Sequence, residues 1–294
     1  MTLRQHPNKP AYSASIGRLI DYPIHERIRL GALELRLAKS SLDIEAAQRL
    51  RYRVFYEEMG ATPSKTAHTA RLDCDEYDED ADHLLVIDNN IRKLCHPYIK
   101  RGVVGTYRLL QKHQITNRRT FYTASEFDIT KILTYPGQIL ELGRSCVDAE
   151  YRSRTILQLM WQGIASYIYS NNIDLMFGCA SFPSSNMEEH RFALDYLKKN
   201  HQAPDLLCPR ALPEHYINMS LTGEQINRDG YIVNDLPPLI KGYLRLGGWV
   251  GDGAVVDHQF NTTDVCVIVK RDNLPKRYRN HYIRKQCELS YGND

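Results

Sequence analysis

The sequence predicts an α/β protein with a mixed central sheet flanked by helices and extended at its C-terminal end. Two observations carry this prediction. Apolar strands alternate along the chain with amphipathic helices, and the apolar strand over 138–147 leads directly into a helix over 153–171. Such alternation is typical of sheets covered by helices. With 294 residues, of which 43% are hydrophobic, the chain can bury a full core.

The first half of the chain begins with a polar segment rich in proline and serine. We predict an N-terminal arm over 1–29 and a single domain over 30–294. Asp43 is the expected N-cap of a helix over 44–58, whose apolar residues recur at helical spacing. Alternating or apolar runs predict strands at 33–37, 84–87 and 102–110.

The second half continues the alternation. After the strand and helix named above, we predict a strand over 175–180 and a helix over 187–200. Residues 203–238 contain five prolines, which favours a long loop or lid within the domain. The block over 239–270 is predicted to supply strands that complete the sheet.

Composition excludes several classes of protein. The net charge of +3 is too small to indicate nucleic-acid binding. Seven cysteines, an odd number without C-x-x-C spacing, favour reduced thiols over a disulfide framework or a zinc site, and we expect no metal. The N-terminus has no apolar signal region, and no apolar run approaches the ~18 residues of a membrane span. We therefore expect a cytoplasmic protein whose membrane contact, if present, is peripheral.

Two charges in the strand over 138–147 form the candidate catalytic pair. Glu141 lies between Leu140 and Leu142, and burial raises the pKa of a carboxylate towards the range of a general base. Arg144 would face the opposite side of a regular strand. A β-bulge near Gly143 would bring both side chains into one cleft and free backbone N–H groups for a reacting carbonyl. The alternative is an arginine–glutamate pair that only stabilises the sheet.

The start of the following helix is the candidate phosphate site. Unpaired N–H groups and the helix dipole favour an anion there, and Arg152, Arg154 and Thr155 supply charge and a hydroxyl group. A base beside a phosphate site suits an enzyme that takes an acyl group from a phosphopantetheine carrier. In the alternative, the arginines only solvate the helix start.

Several motifs resemble the acyltransferases of the GNAT superfamily, and most closely the branch with ornithine N-acyltransferases and N-acylhomoserine-lactone synthases. They are RYRVFYEEM at 51–59, DCDEYD at 73–78, GTYRLL at 105–110, the 139–161 stretch, FGCASFP at 177–183, and PPLIKGY at 237–243 with TDV at 263–265. The resemblance extends over roughly residues 30–283. The resemblance implies a GNAT fold, with the bulge described above on the catalytic strand.

The resemblance also implies roles for further residues. Asp75 and Asp78 would contact the amino-acid acceptor or pair with Arg144 and Arg108, while the bland alternative is a solvated acidic loop. Arg51, Phe55 and Arg108 would shape the wall over the acyl site.

The implied reaction moves a 3-hydroxyacyl chain to the α-amine of ornithine, giving lyso-ornithine lipid. GNAT enzymes usually have a glycine-rich pyrophosphate loop where this chain has Arg-Ser-Arg-Thr at 152–155. Acyl carrier protein is therefore expected as the donor instead of coenzyme A, with no other cofactor, and basic surface there would attract this acidic partner. The alternatives are an N-acylhomoserine-lactone synthase and a non-catalytic scaffold that binds carrier protein or membrane. Aliphatic and basic residues at 16–20 and 24–29 are the expected contact with the inner membrane.

Overall fold

A computed structural model of the chain describes residues 27–93, 99–115, 120–221 and 235–275. Its strands are β1 (Ile28–Leu30), β2 (Leu33–Leu37), β3 (Asp82–Asp88), β4 (Val103–Gln111), β5 (Phe127–Asp128), β6 (Gln138–Val147), β7 (Ile173–Pro183), β8 (Arg210–Ala211), β9 (Trp249–Val250), β10 (Val255–Asp257) and β11 (Thr262–Lys270). Its α-helices are α1 (Ser41–Tyr52), α2 (Lys65–Ala70), α3 (Asn89–Lys93), α4 (Thr130–Leu133), α5 (Arg154–Ser170), α6 (Arg191–His201) and α7 (Pro238–Arg245).

One mixed sheet organises the domain. Its strand order is β1-β2-β3-β4-β6-β7-β11-β10, with β9 also paired to β11, while β5 and β8 form a small separate ribbon. The pairing of β6 with β7 is parallel, and the other pairings along this sheet are antiparallel. The predicted α/β class with a mixed sheet is confirmed.

Two apolar layers cover the sheet. On one face, α5 and α7 pack through Trp161 and Tyr243, whose rings meet edge to face at 5.1 Å. The other face carries two separate apolar clusters, one under α1 and one under the segments 121–133 and 203–211. Charged side chains from β4 and β6 reach the same face as these two clusters. This arrangement places the candidate site between α1 and the 121–133 segment.

The start of α1 differs from the sequence prediction. The hydroxyl group of Ser40 accepts the N–H of Asp43 at 3.3 Å, so Ser40 is the N-cap and the prediction of Asp43 was wrong. Asp43 lies instead in the first turn, buried, where it accepts hydrogen bonds from Arg36 and Arg101, both at 2.8 Å. A serine one turn earlier provides the same capping oxygen, which frees the aspartate for ion pairs.

The end of the same helix also differs. α1 passes at Arg53 into a π-helical segment, Arg53–Glu58, so the predicted helix over 44–58 has two geometries. Such insertions are frequent at functional sites. Here the segment presents Phe55 and Tyr56 to the ring of Phe260, at 5.8 and 5.9 Å.

The C-terminal block is mixed in structure. Residues 238–245 form α7 instead of a strand, because proline at the first position and aliphatic residues at helical spacing start an amphipathic helix. Strands β9, β10 and β11 then complete the sheet as predicted. Within the predicted loop over 203–238, the described residues to 221 bury Leu207 and Cys208 in the core. Residues 1–26 of the predicted arm lie outside the described residues, and with them the expected membrane contact at 16–20 and the first half of the one at 24–29.

Within the described ranges, no helix combines the length and the apolar character that crossing a bilayer requires.

Candidate active site

The β6 strand carries the bulge that the candidate site requires. Between β4 and β6, Thr106 pairs with Cys146 and Arg108 pairs with Gly143, so two residues of β6 face one residue of β4. Arg144 lies in this irregularity with a left-handed φ of 49°. The bulge re-aims a side chain that would otherwise point to the opposite face. Arg144 and Glu141 consequently lie on one face of the sheet, as the family resemblance implied.

Tyr122 connects these two side chains. Its backbone N–H donates to Glu141 Oε2 at 3.1 Å, and its ring lies 4.7 Å from the guanidinium group of Arg144. The ring of Phe260 covers Arg144 at the same distance. The guanidinium group is therefore enclosed by two aromatic rings, each of which adds a cation–π attraction.

Glu141 is buried and accepts hydrogen bonds from one segment of the chain. It is 3% exposed, and its Oε1 accepts the backbone N–H and the hydroxyl group of Thr123, both at 2.7 Å. Burial raises the pKa of Glu141, while the hydrogen bonds from Thr123 and Tyr122 and the charge of Arg108 oppose that rise. The carboxylate thus also fixes the 122–125 turn beside Arg144, a structural role that the sequence did not reveal.

A buried network of three arginines and three aspartates lies next to this pair. Arg51, on α1, is fully buried and donates to Asp73 at 2.7 Å and to both oxygens of Asp78 at 2.8 and 2.6 Å. Arg108, on β4, donates to Asp75 at 2.5 Å and to Asp78 at 3.1 Å. These contacts stabilise the charges that burial would otherwise penalise.

Arg144 closes the network. It contacts Asp75 at 3.0 Å and Asp73 at 3.4 Å, so three positive and three negative side chains balance. Burial opposes the charge on Arg144, but Asp73, Tyr122 and Asp75 together raise its pKa. The contact with Asp73 is made by Nε, which is buried and does not meet hydrogen-bond geometry. The guanidinium group is therefore held in place by charge on this side.

The network bears on the two roles expected of Asp75 and Asp78. Pairing with Arg108 and Arg144 is present, and the surrounding arginines lower the pKa of both carboxyl groups against the effect of burial. Asp75 also borders an open cavity of about 660 Å³ between α1 and the 74–79 loop. Contact of these aspartates with an acceptor remains a prediction.

The parallel pairing of β6 with β7 stops at the candidate site. Their register ends at Glu141 and Phe177, although the strands continue to Val147 and Pro183. A side chain at Gly178 would meet the carbonyl oxygen of Leu142 at 2.2 Å, so glycine permits the close approach of the strands just after their last paired residues. Beyond that point, the facing strand edges no longer bond to each other and can meet a ligand.

The predicted phosphate site has a capped helix start. The hydroxyl group of Ser153 accepts the N–H of Ile156 at 3.3 Å at the beginning of α5. Arg152 is paired with Glu58 on the π segment, with Nη2–Oε2 at 2.8 Å. Arg154 and Thr155 are exposed in the first turn. A role of Arg152, Arg154 and Thr155 in phosphate binding remains a prediction, and of the two arginines Arg154 has the freer position.

A second acidic group lies on the same face, and the sequence did not indicate it. The carboxylate oxygens of Glu126, Asp257 and Asp264 lie within 4.8 Å of one another. Among the described residues, these three form the acidic group that could hold a cation. Burial raises the pKa of both Glu126 and Asp264, and neighbouring carboxylates add to both shifts. No motif joins the three residues, because the fold brings them together from distant positions.

Except for Phe55, the sequence also did not predict the aromatic side chains that surround the site. Tyr122 and Phe260 enclose Arg144, yet both belong to segments without a local sequence signal. Asp73 was visible in the acidic stretch, but only the structure pairs it with Arg51.

Comparison with known proteins gives one family model, two relatives and one solved structure. The model of the acetyltransferase (GNAT) domain matches residues 50–162. The chain is 43% identical over 256 residues to L-ornithine N(alpha)-acyltransferase of Brucella abortus (strain 2308), covering 86% of this chain and 90% of that protein. It is 45% identical over 256 residues to the protein of the same name from Rhizobium meliloti (strain 1021), covering 86% and 85%. Among solved structures, FeeM, an N-acyl amino acid synthase from uncultured soil microbes, is 12% identical with a TM-score of 0.43, covering 81% of this chain and 90% of that one.

Proposed function

The chain belongs to the L-ornithine N(alpha)-acyltransferase family of GNAT enzymes, and from this premise we propose that it acylates the α-amine of L-ornithine. The GNAT fold expected from the sequence is confirmed, as is the assignment to the N-acyltransferases. The observation that carries the proposed chemistry is the end of the β6–β7 pairing beside Glu141 and the bulged Arg144.

In the proposed reaction, the α-nitrogen of ornithine attacks the carbonyl carbon of an acyl thioester. The new C–N bond forms as the C–S bond breaks, and the pantetheine sulfur leaves as a thiol that takes up a proton. The ammonium form of the amine must first release a proton. We assign that proton to Glu141, directly or through a water molecule, because its buried Oε2 accepts the N–H of Tyr122 and keeps further acceptor capacity.

Arg144 is proposed to orient the acceptor. Two aspartates and two aromatic rings fix its guanidinium group, whose positive charge can attract the ornithine carboxylate. Backbone N–H groups at the diverging edges of β6 and β7 can meet the thioester carbonyl as negative charge develops on it. The network of Arg51, Arg108 and their aspartates supports this arrangement, and Phe55 forms part of its aromatic wall.

We propose acyl carrier protein as the donor and lyso-ornithine lipid, with a 3-hydroxyacyl chain, as the product. The large side chains of Arg152, Arg154 and Thr155 replace the small residues that a pyrophosphate group would require close to the backbone. A single phosphate on a pantetheine arm does not require such a close approach to the backbone. An acidic carrier would also be attracted to the exposed arginine in the first turn of α5.

The proposal is tested by incubating the purified protein with an acyl-carrier-protein thioester or the matching coenzyme A thioester and a panel of amino acids. Mass spectrometry of the products should show an ornithine amide, formed with a higher kcat/KM from the carrier protein. Equal kcat/KM for both donors would remove the donor assignment. An amide of another amino acid in place of ornithine would remove the acceptor assignment.

The amphiphilic product must enter a lipid phase, so we further propose a peripheral attachment of this cytoplasmic enzyme to the inner membrane. Flotation with anionic and zwitterionic liposomes tests it. Recovery of the intact protein entirely in the unbound fraction at low salt would contradict the attachment.

A further inference from the structure

We propose that Glu126, Asp257 and Asp264 bind the side-chain ammonium group of the acceptor and thereby select a diamino acid over amino acids without a second amine. This inference rests on the proposed function and assigns it a specificity site. Ornithine carries two amines, of which only the α-amine reacts, so the δ-ammonium group needs a separate, negatively charged environment.

The three carboxylates converge from separate elements. Glu126 follows the short 3-10 turn Tyr122–Ser125, Asp257 ends β10, and Asp264 lies near the start of β11. One oxygen of each lies within 4.8 Å of the others. A primary ammonium group has three N–H donors, which matches three converging acceptors.

Asp264 supplies the observation that points to a ligand. Its side chain is buried, with 5% of the residue exposed, and its Oδ1 has no hydrogen-bond partner among the described residues. A buried carboxylate oxygen without a donor is costly. An ammonium group that binds there would supply the missing donor.

The charge of the three carboxylates is not balanced by the nearby arginine. Arg144 lowers the pKa of both Glu126 and Asp264, but burial and the neighbouring acids outweigh it. Arg144 is itself compensated by Asp73 and Asp75. No nearby cation thus compensates the charge that appears when these acids lose their protons, and a cationic substrate can supply that compensation.

The site shares two walls with Arg144, which connects it to the reaction centre. Asp257 Oδ1 accepts the N–H of Phe260 at 2.9 Å, and the ring of Phe260 covers Arg144. Tyr122, whose ring covers the other side, begins the turn that leads to Glu126. An acceptor with its carboxylate at Arg144 can thus extend its side chain towards the three acids.

An ammonium group fits this site better than a divalent metal ion. Calcium takes six to eight oxygen ligands, and magnesium requires nearly ideal octahedral geometry. Here Asp257 Oδ1 already accepts two backbone N–H groups, from Gln259 and Phe260, and Glu126 Oε2 accepts the thiol of Cys179 at 3.4 Å. These bonds leave few free oxygens, but enough for one ammonium group.

The test compares ornithine with norvaline, which has the same carbon chain without the δ-amine. The wild-type enzyme should prefer ornithine in kcat/KM, mainly through KM. In Asp264→Asn and Glu126→Gln this preference should fall by about 10–100-fold, as expected for loss of a charged hydrogen bond. Asp205→Asn, which changes an exposed acid on the 204–207 turn, is the matched control and should keep the preference.

A thermal unfolding measurement separates substrate binding from folding. Asp264→Asn should not lower the Tm of the free protein, because it removes an uncompensated buried charge, and ornithine should no longer raise the Tm of this variant. A lowered Tm with equal loss of activity towards ornithine and norvaline would show a structural role and overturn the inference. Loss of wild-type activity on chelation, with recovery on adding Mg²⁺ or Ca²⁺, would also overturn it. A wild-type enzyme that acylates neither amino acid would instead contradict the proposed function.

Discussion

Glu141 combines two roles that mutation can separate. It anchors the turn at Thr123, and we propose that it accepts the proton of the amine. Glu141→Gln should lower kcat by about 10²–10⁴-fold, the range for loss of a general base, while the protein still folds. Thr123→Val removes one hydrogen bond to the charged carboxylate, so it should raise the pKa of Glu141 and move the acidic limb of the pH–rate profile to higher pH.

Steady-state kinetics across the pH range checks both variants, with circular dichroism as the control for folding. If Glu141→Gln retained nearly full activity and the wild-type pH dependence, Glu141 would have no part in proton transfer and would serve the turn alone.

Arg51 holds the buried network together, and its loss should be costly to stability. Arg51→Met leaves Asp73 and Asp78 buried without their main cation, which should lower the free energy of unfolding by about 3–5 kcal/mol. Arg49→Ala, on the same helix, removes only the partly exposed pair with Glu45 and should cost at most about 1 kcal/mol. Urea unfolding of both variants measures the contrast. Equal small effects would show that the network does not stabilise the fold.

At the scale of secondary structure, the sequence located β6 and α5 well and the details of α1 poorly. The apolar run of β6 and the amphipathic pattern of α5 determine these elements locally, so their bounds agree with prediction. The bulge at Arg144 was expected from the family resemblance, and Gly143 beside it agrees with a bulge but does not establish one. The π segment after α1 depends on tertiary packing and was missed. The helix α7 was also missed, although its proline and its apolar spacing are visible in the sequence.

In the candidate site too, the sequence located single residues, whereas their contacts depend on the fold. The motifs identified Arg51, Arg108 and Arg144, but only the fold shows how the three arginines share three aspartates. The acids at 126, 257 and 264 are far apart in sequence, and no spacing rule could have joined them.

The start of α5 offers a test of donor docking. Arg152 is already paired with Glu58, whereas Arg154 is exposed in the first turn. Arg154→Glu should therefore raise the KM for acyl carrier protein more than Arg152→Glu does, and it should weaken the dependence of this KM on salt. The KM for ornithine is the internal control and should not change. No effect of either charge reversal would exclude this helix start as the docking surface.

At the scale of the whole molecule, two groups of carboxylates give stability a pH optimum. The arginines lower the pKa of Asp75 and Asp78 in the folded state, so the stability they contribute is present above the unfolded pKa near 3.8 and is lost as the pH falls. Glu126 makes the stability change with pH in the opposite direction. Burial raises its pKa to about 8, so the folded state holds a proton that the unfolded state releases above the ordinary pKa of 4.5, and stability falls as the pH rises from there.

Thermal unfolding between pH 3 and pH 9 measures both limbs. The charged and titratable groups that face Glu126 are Asp264, Asp257, Cys179 and Arg144, of which Asp264 has a raised pKa and should contribute to the same fall. Glu126→Gln should flatten the decline between about pH 5 and pH 8, and saturating ornithine should reduce it in the wild type. A wild-type Tm that rises through this range would contradict the assignment of a raised pKa.

The position of the acyl group on the product shows directly which amine of ornithine lies at the reaction centre. In the proposed complex, the δ-ammonium group of ornithine lies at the three acids and its α-amine lies near Glu141, at the end of the β6–β7 pairing. Fragmentation of the product by tandem mass spectrometry should locate the amide on the α-nitrogen and leave the δ-amine free. An amide on the δ-nitrogen, or no ornithine amide with either thioester donor, would contradict the account.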